Sequence, residues 1–305
     1  MVFVEERKKG ERVQFYLAKT YREKGRVKKK VVFLGTDLSP VQLEKLSADA
    51  RVVLGEIDFD RVLSEKETAE FKALKEELNE RIGEMAAKDF YQHFLTEFTY
   101  DSNAIEGSSL TLAETGNVLF EGISPKNKSM KHVQEAKNHK EAFDYVMNLK
   151  QEKLSQATIC KVQEKVVKST LAEDLKEFEG KLREVNVRVG MHIAPPYYSV
   201  PRKLGVLIKW FNANRKKYHP IVIAAYFHSE FEGVHPFVDG NGRTGRLLMN
   251  LMLKKAGFPP ITIFFKYRAE YYLALEKAGK EKNLKPLIKI MKKCYQDMLE
   301  AYNPK

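Results

Sequence analysis

One stretch constrains this chain more than any other: an apolar helical run that is stopped, bent through two glycines and started again. Pro220 suits the first turn of a helix, and Ile221-Val222-Ile223-Ala224-Ala225-Tyr226-Phe227 opens an apolar run that continues to Val234. His235-Pro236 ends it, because proline cannot continue a helix and biases the residue before it away from the α region. After Asp239-Gly240-Asn241-Gly242 the pattern is apolar again, Leu247-Leu248-Met249-Asn250-Leu251-Met252-Leu253. Two such helices joined by a short loop belong at the centre of a helical bundle. Gly240 and Gly242 permit a tight turn that presents successive backbone N–H groups at the start of the second helix. Free N–H groups and the helix dipole together favour an anion there.

The side chains around this loop fit a phosphate-handling site. Arg243 and Arg246 fall three apart, on one face of the second helix's first turn. Cations at a helix N-terminus oppose the dipole at a cost of roughly 0.3–1 kcal/mol each, and a bound polyphosphate would reverse that sign. Asp239 supplies a hard oxygen for Mg²⁺, which commonly shares its ligands with substrate phosphates. His235 can serve as a general base near neutral pH. A calcium loop opening at Asp239 fails, because its fifth position is Arg243 and its twelfth is Asn250 rather than Glu. A lone histidine before proline is ordinarily a cap or a packed ring. A base, a metal carboxylate, a glycine nest and paired arginines in one loop argue for a site.

The rest of the chain frames this centre. Val13–Ala18 and Val31–Leu34 are β-rich runs with Lys24-Gly25 as a turn signal, so residues 2–35 read as a β-hairpin or three-stranded module. From Ser39-Pro40 onward the periodicity is helical. Ser64-Glu65-Lys66-Glu67 and Thr111-Leu112-Ala113-Glu114 are capping boxes. Val185-Asn186-Val187-Arg188-Val189 alternates like a strand before Gly190 and Pro195-Pro196 break it, and a lone hairpin in a helical domain is expected to lie over something. The net charge is +12, with eleven Lys/Arg against five Asp/Glu in residues 1–38 and eight against four in residues 276–305. Any nucleic-acid partner would therefore meet the ends of the chain. The apolar runs fall far short of the ~20 residues of a membrane span. Met1–Arg7 lacks the basic start and apolar core of a signal peptide, and Cys160 and Cys294 are too few and too distant for a disulfide framework or a cysteine zinc site. The expected location is the cytosol.

His235-Pro-Phe-x-Asp239-Gly-Asn241-Gly-Arg243-x-x-Arg246 resembles the signature of Fic-domain (Fido) proteins at every defined position, and the likeness extends from about Ser102 to about Tyr302. Gly180-Lys181-Leu182-Arg183 followed by Val187-Arg188-Val189-Gly190 is similar to the flap that aligns the family's target segment. Phe258–Ile263 and Tyr271-Tyr272 resemble the region that closes over adenine. Relatives often carry asparagine where Gly279 stands. The resemblance implies a mainly α fold: a Fic helical bundle with a β-hairpin flap, preceded by a small N-terminal β module. It suggests a basic module over residues 1–38, a helical region over 39–128 with an inhibitory helix around 95–107, a Fic domain over 129–285 and a C-terminal helix over 286–305.

The implied activity is protein adenylylation, the transfer of AMP from ATP to a Ser, Thr or Tyr hydroxyl of a protein, the chain itself included. His235 would be catalytic and Asp239 would hold Mg²⁺. Val187, Arg188, Val189, Gly190, Asp239, Gly240, Asn241, Gly242, Arg243, Thr244, Gly245, Arg246, Tyr271 and Tyr272 would contact ATP. Gly242 favours nucleotidyl transfer, since kinase-type toxin relatives carry lysine there. The same site could instead remove AMP, with Glu106 aligning water, or use another nucleotide. A reading from another class makes the basic N-terminal module a nucleic-acid contact, and a homodimer is also allowed for. Ser102-Asn103-Ala104-Ile105-Glu106-Gly107 resembles the family's inhibitory motif in its N-terminal arrangement. Gly107 should terminate a helix and leave Glu106 in its last turn, where an acid opposes the dipole as an arginine does at an N-terminus. A Glu106–Arg246 pair would relieve both, and would occupy the arginine needed for the γ-phosphate.

Overall fold

A computed structural model describes residues 2–23, 26–43, 46–47, 57, 59–150, 153–189 and 192–302. The chain divides into two units, Met1–Val62 and Leu63–Lys305.

In the first unit, β1 (Val2–Lys9), β2 (Arg12–Glu23) and β3 (Arg26–Thr36) form an antiparallel sheet in the order β1-β2-β3. The three-stranded alternative is thus the one adopted; the Lys24-Gly25 turn lies outside the described residues. Glu5 stands opposite Tyr16, and Tyr16 opposite Phe33, so these three share a face. Leu17 points to the other face and is fully buried against Val32 and Leu34.

The second unit is helical. Its elements are α1 (Glu65–Glu84), α2 (Ala87–Ile105), α3 (Leu112–Gly116), α4 (Met130–Met147), α5 (Gln156–Val167), α6 (Val200–Asn214), α7 (Pro220–Val234), α8 (Asn241–Lys255), α9 (Arg268–Glu281) and α10 (Lys285–Ala301). Both capping boxes form. Ser64 Oγ accepts from Glu67 N while the Glu67 carboxylate accepts from Ser64 N, and Thr111 and Glu114 do the same for α3. The helix that Thr111 opens is short: it passes into a π turn at Asn117–Glu121 and stops at left-handed Gly122.

The two apolar runs become α7 and α8. From Ile221 to Ser229 every residue of α7 is buried, as is α8 from Arg243 to Leu253. Helix α8 packs on α7, α4 and α5, while α7 also meets α6, α9 and α10. The loop between them therefore emerges from the centre of the bundle. A hairpin of β4 (Arg188–Val189) and β5 (His192–Ile193) interrupts the helices before α6. Among the described residues, no helix is long and apolar enough to cross a membrane.

Candidate active site

His235 caps α7 in the left-handed region, φ 47 and ψ 64, with its N–H donating to Phe231 O at 2.9 Å. A non-glycine residue rarely adopts this conformation unless its surroundings hold it there. The holding group is Arg183. Its backbone N–H donates to Pro236 O at 3.0 Å and its Nε to His235 O at 2.8 Å. Nη1 and Nη2 donate to Val185 O and Pro195 O, at 2.8 and 2.6 Å, on the two limbs leading into the β4–β5 hairpin. Arg183 is 1% exposed, and burial lowers its pKa. One buried guanidinium thus joins the root of the flap to His235. In the sequence Arg183 stands out only as part of the flap resemblance, and no local signal gives it this role.

The glycine loop is braced from within and from below. Asn241 Oδ1 accepts from Phe237 N and Asn241 Nδ2 donates to Phe237 O, both at 2.9 Å, so this amide shapes the loop. Gly240 is left-handed (φ +78), and a Cβ there would lie 2.7 Å from Val167 Cγ1 on α5, so glycine is required twice over. Gln163 links the loop to the segment leading to the flap: its Nε2 donates to Asp239 O at 3.1 Å and its Oε1 accepts from Gly180 N at 2.8 Å. Asp239 Oδ1 accepts from Gly240 N at 2.6 Å and from Arg243 Nη2 at 3.4 Å. Its side chain remains 39% exposed, open enough to meet a hydrated cation.

Both arginines of α8 are buried, and each holds a carboxylate. Arg243 Nη1 lies 3.1 Å from Glu135 Oε1 on α4. Arg246 donates from Nε to Ser102 Oγ at 3.0 Å, and from Nη2 to Ser102 O and Glu106 Oε1, both at 2.8 Å. Burial is the largest influence on Arg246 and works against its charge, but the Glu106 carboxylate and the Tyr271 hydroxyl together outweigh it and raise the pKa. Glu106 sits one residue beyond the expected last turn: α2 ends at Ile105 because Gly107 takes φ +98 and Ser108 N bonds back to Asn103 O. Its Oε1 rests directly over Gly242, where any Cβ would collide with it. A carboxylate therefore already occupies an anion seat at the N-terminus of α8. Sequence reading did not single out Glu135; the polar trio Glu135, Asn138 and His139 on one face of α4, all buried, was the available signal.

Thr244 is fully buried, with its N–H donating to Gly240 O at 2.9 Å. Tyr271 is buried beneath Arg246, its hydroxyl 2.6 Å from His228 Nε2. His228 is a packed ring, fully buried, and burial followed by the Arg246 charge pushes its pKa down to about 3. Tyr272 is 42% exposed and donates to Ile105 O at 3.2 Å, which ties α9 to the end of α2. Arg188 is exposed and Val187 half-buried at the base of the hairpin; Gly190 lies outside the described residues, and only the backbone of Val189 is described. A Cβ on Gly279 would meet open space.

Comparison with known proteins agrees with this arrangement. Residues 153–253 match the Fic/DOC family. "Protein adenylyltransferase Fic" of Nematostella vectensis is 32% identical over 214 residues, 70% of this chain and 48% of that protein. The chain thus spans about half the length of the curated relatives it matches. Among solved structures, Fic-1 of C. elegans superposes with a TM-score of 0.67 at 24% identity, covering 87% of this chain and 78% of that one. A Fic-domain signaling protein of Bacteroides thetaiotaomicron gives 0.67 at 23% identity, covering 76% and 96%. With the HPF…GNGR loop between its two central helices, the chain is a Fic-domain protein, homologous to the Fic protein adenylyltransferases of animals.

Proposed function

We propose that the chain transfers AMP from ATP to a Ser, Thr or Tyr hydroxyl of a protein, and that Glu106 holds this activity in check. The observation that carries the reading is the Glu106 carboxylate: it rests on Gly242 while bonded to Arg246. An anion belongs at that helix end, and the resting chain fills it with its own.

In this reading His235 takes the proton of the target hydroxyl, and the hydroxyl oxygen attacks the α-phosphorus. The bond to the β-phosphate oxygen breaks and pyrophosphate leaves. The backbone N–H of Gly242, and that of Gly240 once Asp239 Oδ1 releases it, cradle the transferred phosphate, with Asn241 keeping the loop in shape. Arg243 and Arg246 offset the leaving charge. Such chemistry needs positioning and charge stabilisation more than covalent help. Asp239 would hold Mg²⁺, which when bound neutralises phosphate charge. Tyr272, 42% exposed, and the flap residues Val187 and Arg188 would border the nucleoside; Tyr271, buried and bonded to His228, would support Tyr272 from behind. Both arginines are held by carboxylates at rest, Glu135 on Arg243 and Glu106 on Arg246. The Glu106 side chain is 35% exposed and can swing out; that of Glu135 is 10% exposed and fixed in α4. The setting is cytosolic, where free Cys160 and Cys294 stay reduced.

The test is mass spectrometry of the chain and of a lysate after incubation with ATP and Mg²⁺, with CTP, GTP and UTP in parallel. Added AMP on hydroxyl side chains supports the reading. Loss of AMP from a modified protein, or preference for another nucleotide, would favour the alternative reactions.

A separate observation favours a nucleic-acid contact in the first unit. Phe3 and Phe33 are exposed, Tyr16 lies between them 5.2 Å from the Phe33 ring, and Arg7 stands 4.3 Å over Tyr16. Aromatic rings on a basic sheet face suit single-stranded nucleic acid. Binding that weakens steeply with salt and is lost on deleting residues 1–38 would support it; unchanged binding after deletion would end it.

A further inference from the structure

The site contains a carboxyl group that the proposed reaction does not use. Glu232 lies on α7, four residues after His228 and three before His235. Its Oε1 is buried with no hydrogen-bond partner among the described residues. It presses on α8 so closely that a Cβ on Gly245, the residue before Arg246, would lie 2.6 Å from it. Few buried oxygens in native structures stay unpaired, and those that do call for a reason.

The charged and titratable groups around Glu232 define that reason. Glu106 faces it from the end of α2 and Arg246 from α8. Tyr271 approaches from α9. On its own helix His228 reaches the same glycine, its Nδ1 2.8 Å from such a Cβ, while its other nitrogen bonds Tyr271. The group therefore comprises one permanent cation, two carboxyls and two neutral rings.

We infer that Glu232 is a second carboxylate partner for Arg246, idle while Glu106 occupies the arginine and engaged when Glu106 withdraws. The inference rests on the reading of Arg246 as a phosphate contact. Two carboxyls cannot both ionise cheaply around one buried cation. Burial first, and then the Glu106 charge, push the Glu232 carboxyl up to about 8, so the resting chain holds its proton. Removing Glu106 deletes the repelling charge and leaves Arg246 uncompensated. Both changes favour ionised Glu232, which then competes with a phosphate oxygen for the same guanidinium. Glu232 is thus a positioning residue: it governs how available Arg246 is, without touching the reacting atoms.

The experiment measures ATP affinity by calorimetry for Glu106→Gly and for Glu106→Gly/Glu232→Gln, from about pH 6 to about pH 8. The two variants should bind alike at the acid end. With rising pH the single variant should fall behind, by roughly fivefold or more at the alkaline end, as each pH unit past a carboxyl's midpoint is worth up to a factor of ten. A ratio that stays flat with pH, or a double variant that binds more weakly, overturns the inference while leaving the ATP reading intact. ATP binding by neither variant overturns both. Carbon-13 carboxyl titration of Glu232 in the full chain needs no Glu232 substitution: its midpoint should drop on Glu106→Gly, and an unchanged or higher midpoint refutes the second-partner role.

Discussion

Arg183 Nε donates to the carbonyl of His235 at 2.8 Å, and that bond ties the base of the flap to the left-handed cap of α7. The same guanidinium spans Val185 O and Pro195 O, so a single side chain sets the hairpin's two limbs against the residue that would carry the reaction's proton. No carboxylate is needed, because its work is to satisfy three carbonyls at a part-buried site.

Arg183→Ala should consequently cost about 2 kcal/mol of stability, since a buried acceptor left unpaired costs ~1–3 kcal/mol and these part-buried carbonyls will partly find water. Urea denaturation checks this. The transfer rate should fall by more than about tenfold with ATP affinity nearly kept, as a drift in His235 geometry slows chemistry rather than binding. Unchanged transfer in the variant would show that the flap does not orient the site.

His235→Ala should abolish AMP transfer and leave ATP affinity within about twofold, because proton removal is its only task. Calorimetry and mass spectrometry on the same preparation decide it. Loss of binding as large as the loss of rate would reassign His235 to the phosphate cradle.

The two arginine-bound glutamates should separate by stability. Removing one partner of a buried ion pair costs ~3–5 kcal/mol, while exposed pairs contribute ~0–1 kcal/mol. Glu135→Gln, which leaves buried Arg243 only its longer contact with half-exposed Asp239, is expected to cost about 3 kcal/mol. Glu106→Gln leaves an equally buried Arg246, but Ser102 Oγ and Ser102 O still accept from that guanidinium, so the loss should be smaller. Equal costs in urea denaturation would mean that Glu106 is as structural as Glu135.

Asp101 gives a pH test independent of activity. It is 6% exposed and accepts from Phe265 N at 2.6 Å, anchoring the segment between α8 and α9 to α2. Burial pushes its carboxyl up to about 7 from 3.8, despite the opposing pull of that N–H. Between those two values the folded chain holds a proton that the unfolded chain has lost. Stability from this group therefore falls as pH rises from about 4 to about 7, by at most about 4 kcal/mol. Asp101→Asn keeps an acceptor for Phe265 and should flatten that slope. A slope identical to the parent's would locate the titration elsewhere.

What could be read from the sequence was local. The α7–loop–α8 unit follows from an apolar run, a proline and two glycines within one short window, and the capping boxes follow from residues three apart. The Glu106–Arg246 pair could be anticipated because each residue sits at the wrong end of its helix for its charge. Partner choice across the bundle was not legible. Nothing near Arg183 announces that it will bond His235 O, and Glu135 and Glu232 look like ordinary helical acids until packing buries one beside Arg243 and the other against Gly245. Asn241 likewise read as a phosphate contact, whereas both ends of its amide are engaged by Phe237.

The central claim is that Glu106 restrains AMP transfer by holding Arg246. Its most direct test is the rate of AMP incorporation, measured by intact mass with ATP and Mg²⁺ saturating, for the parent, Glu106→Gly, Arg246→Ala and the double variant. The account predicts that Glu106→Gly is faster than the parent by about tenfold or more, an equilibrium shift of ~1.4 kcal/mol. Arg246→Ala should be slow whether or not Glu106 is present. A Glu106→Gly variant no faster than the parent under these conditions would contradict the account.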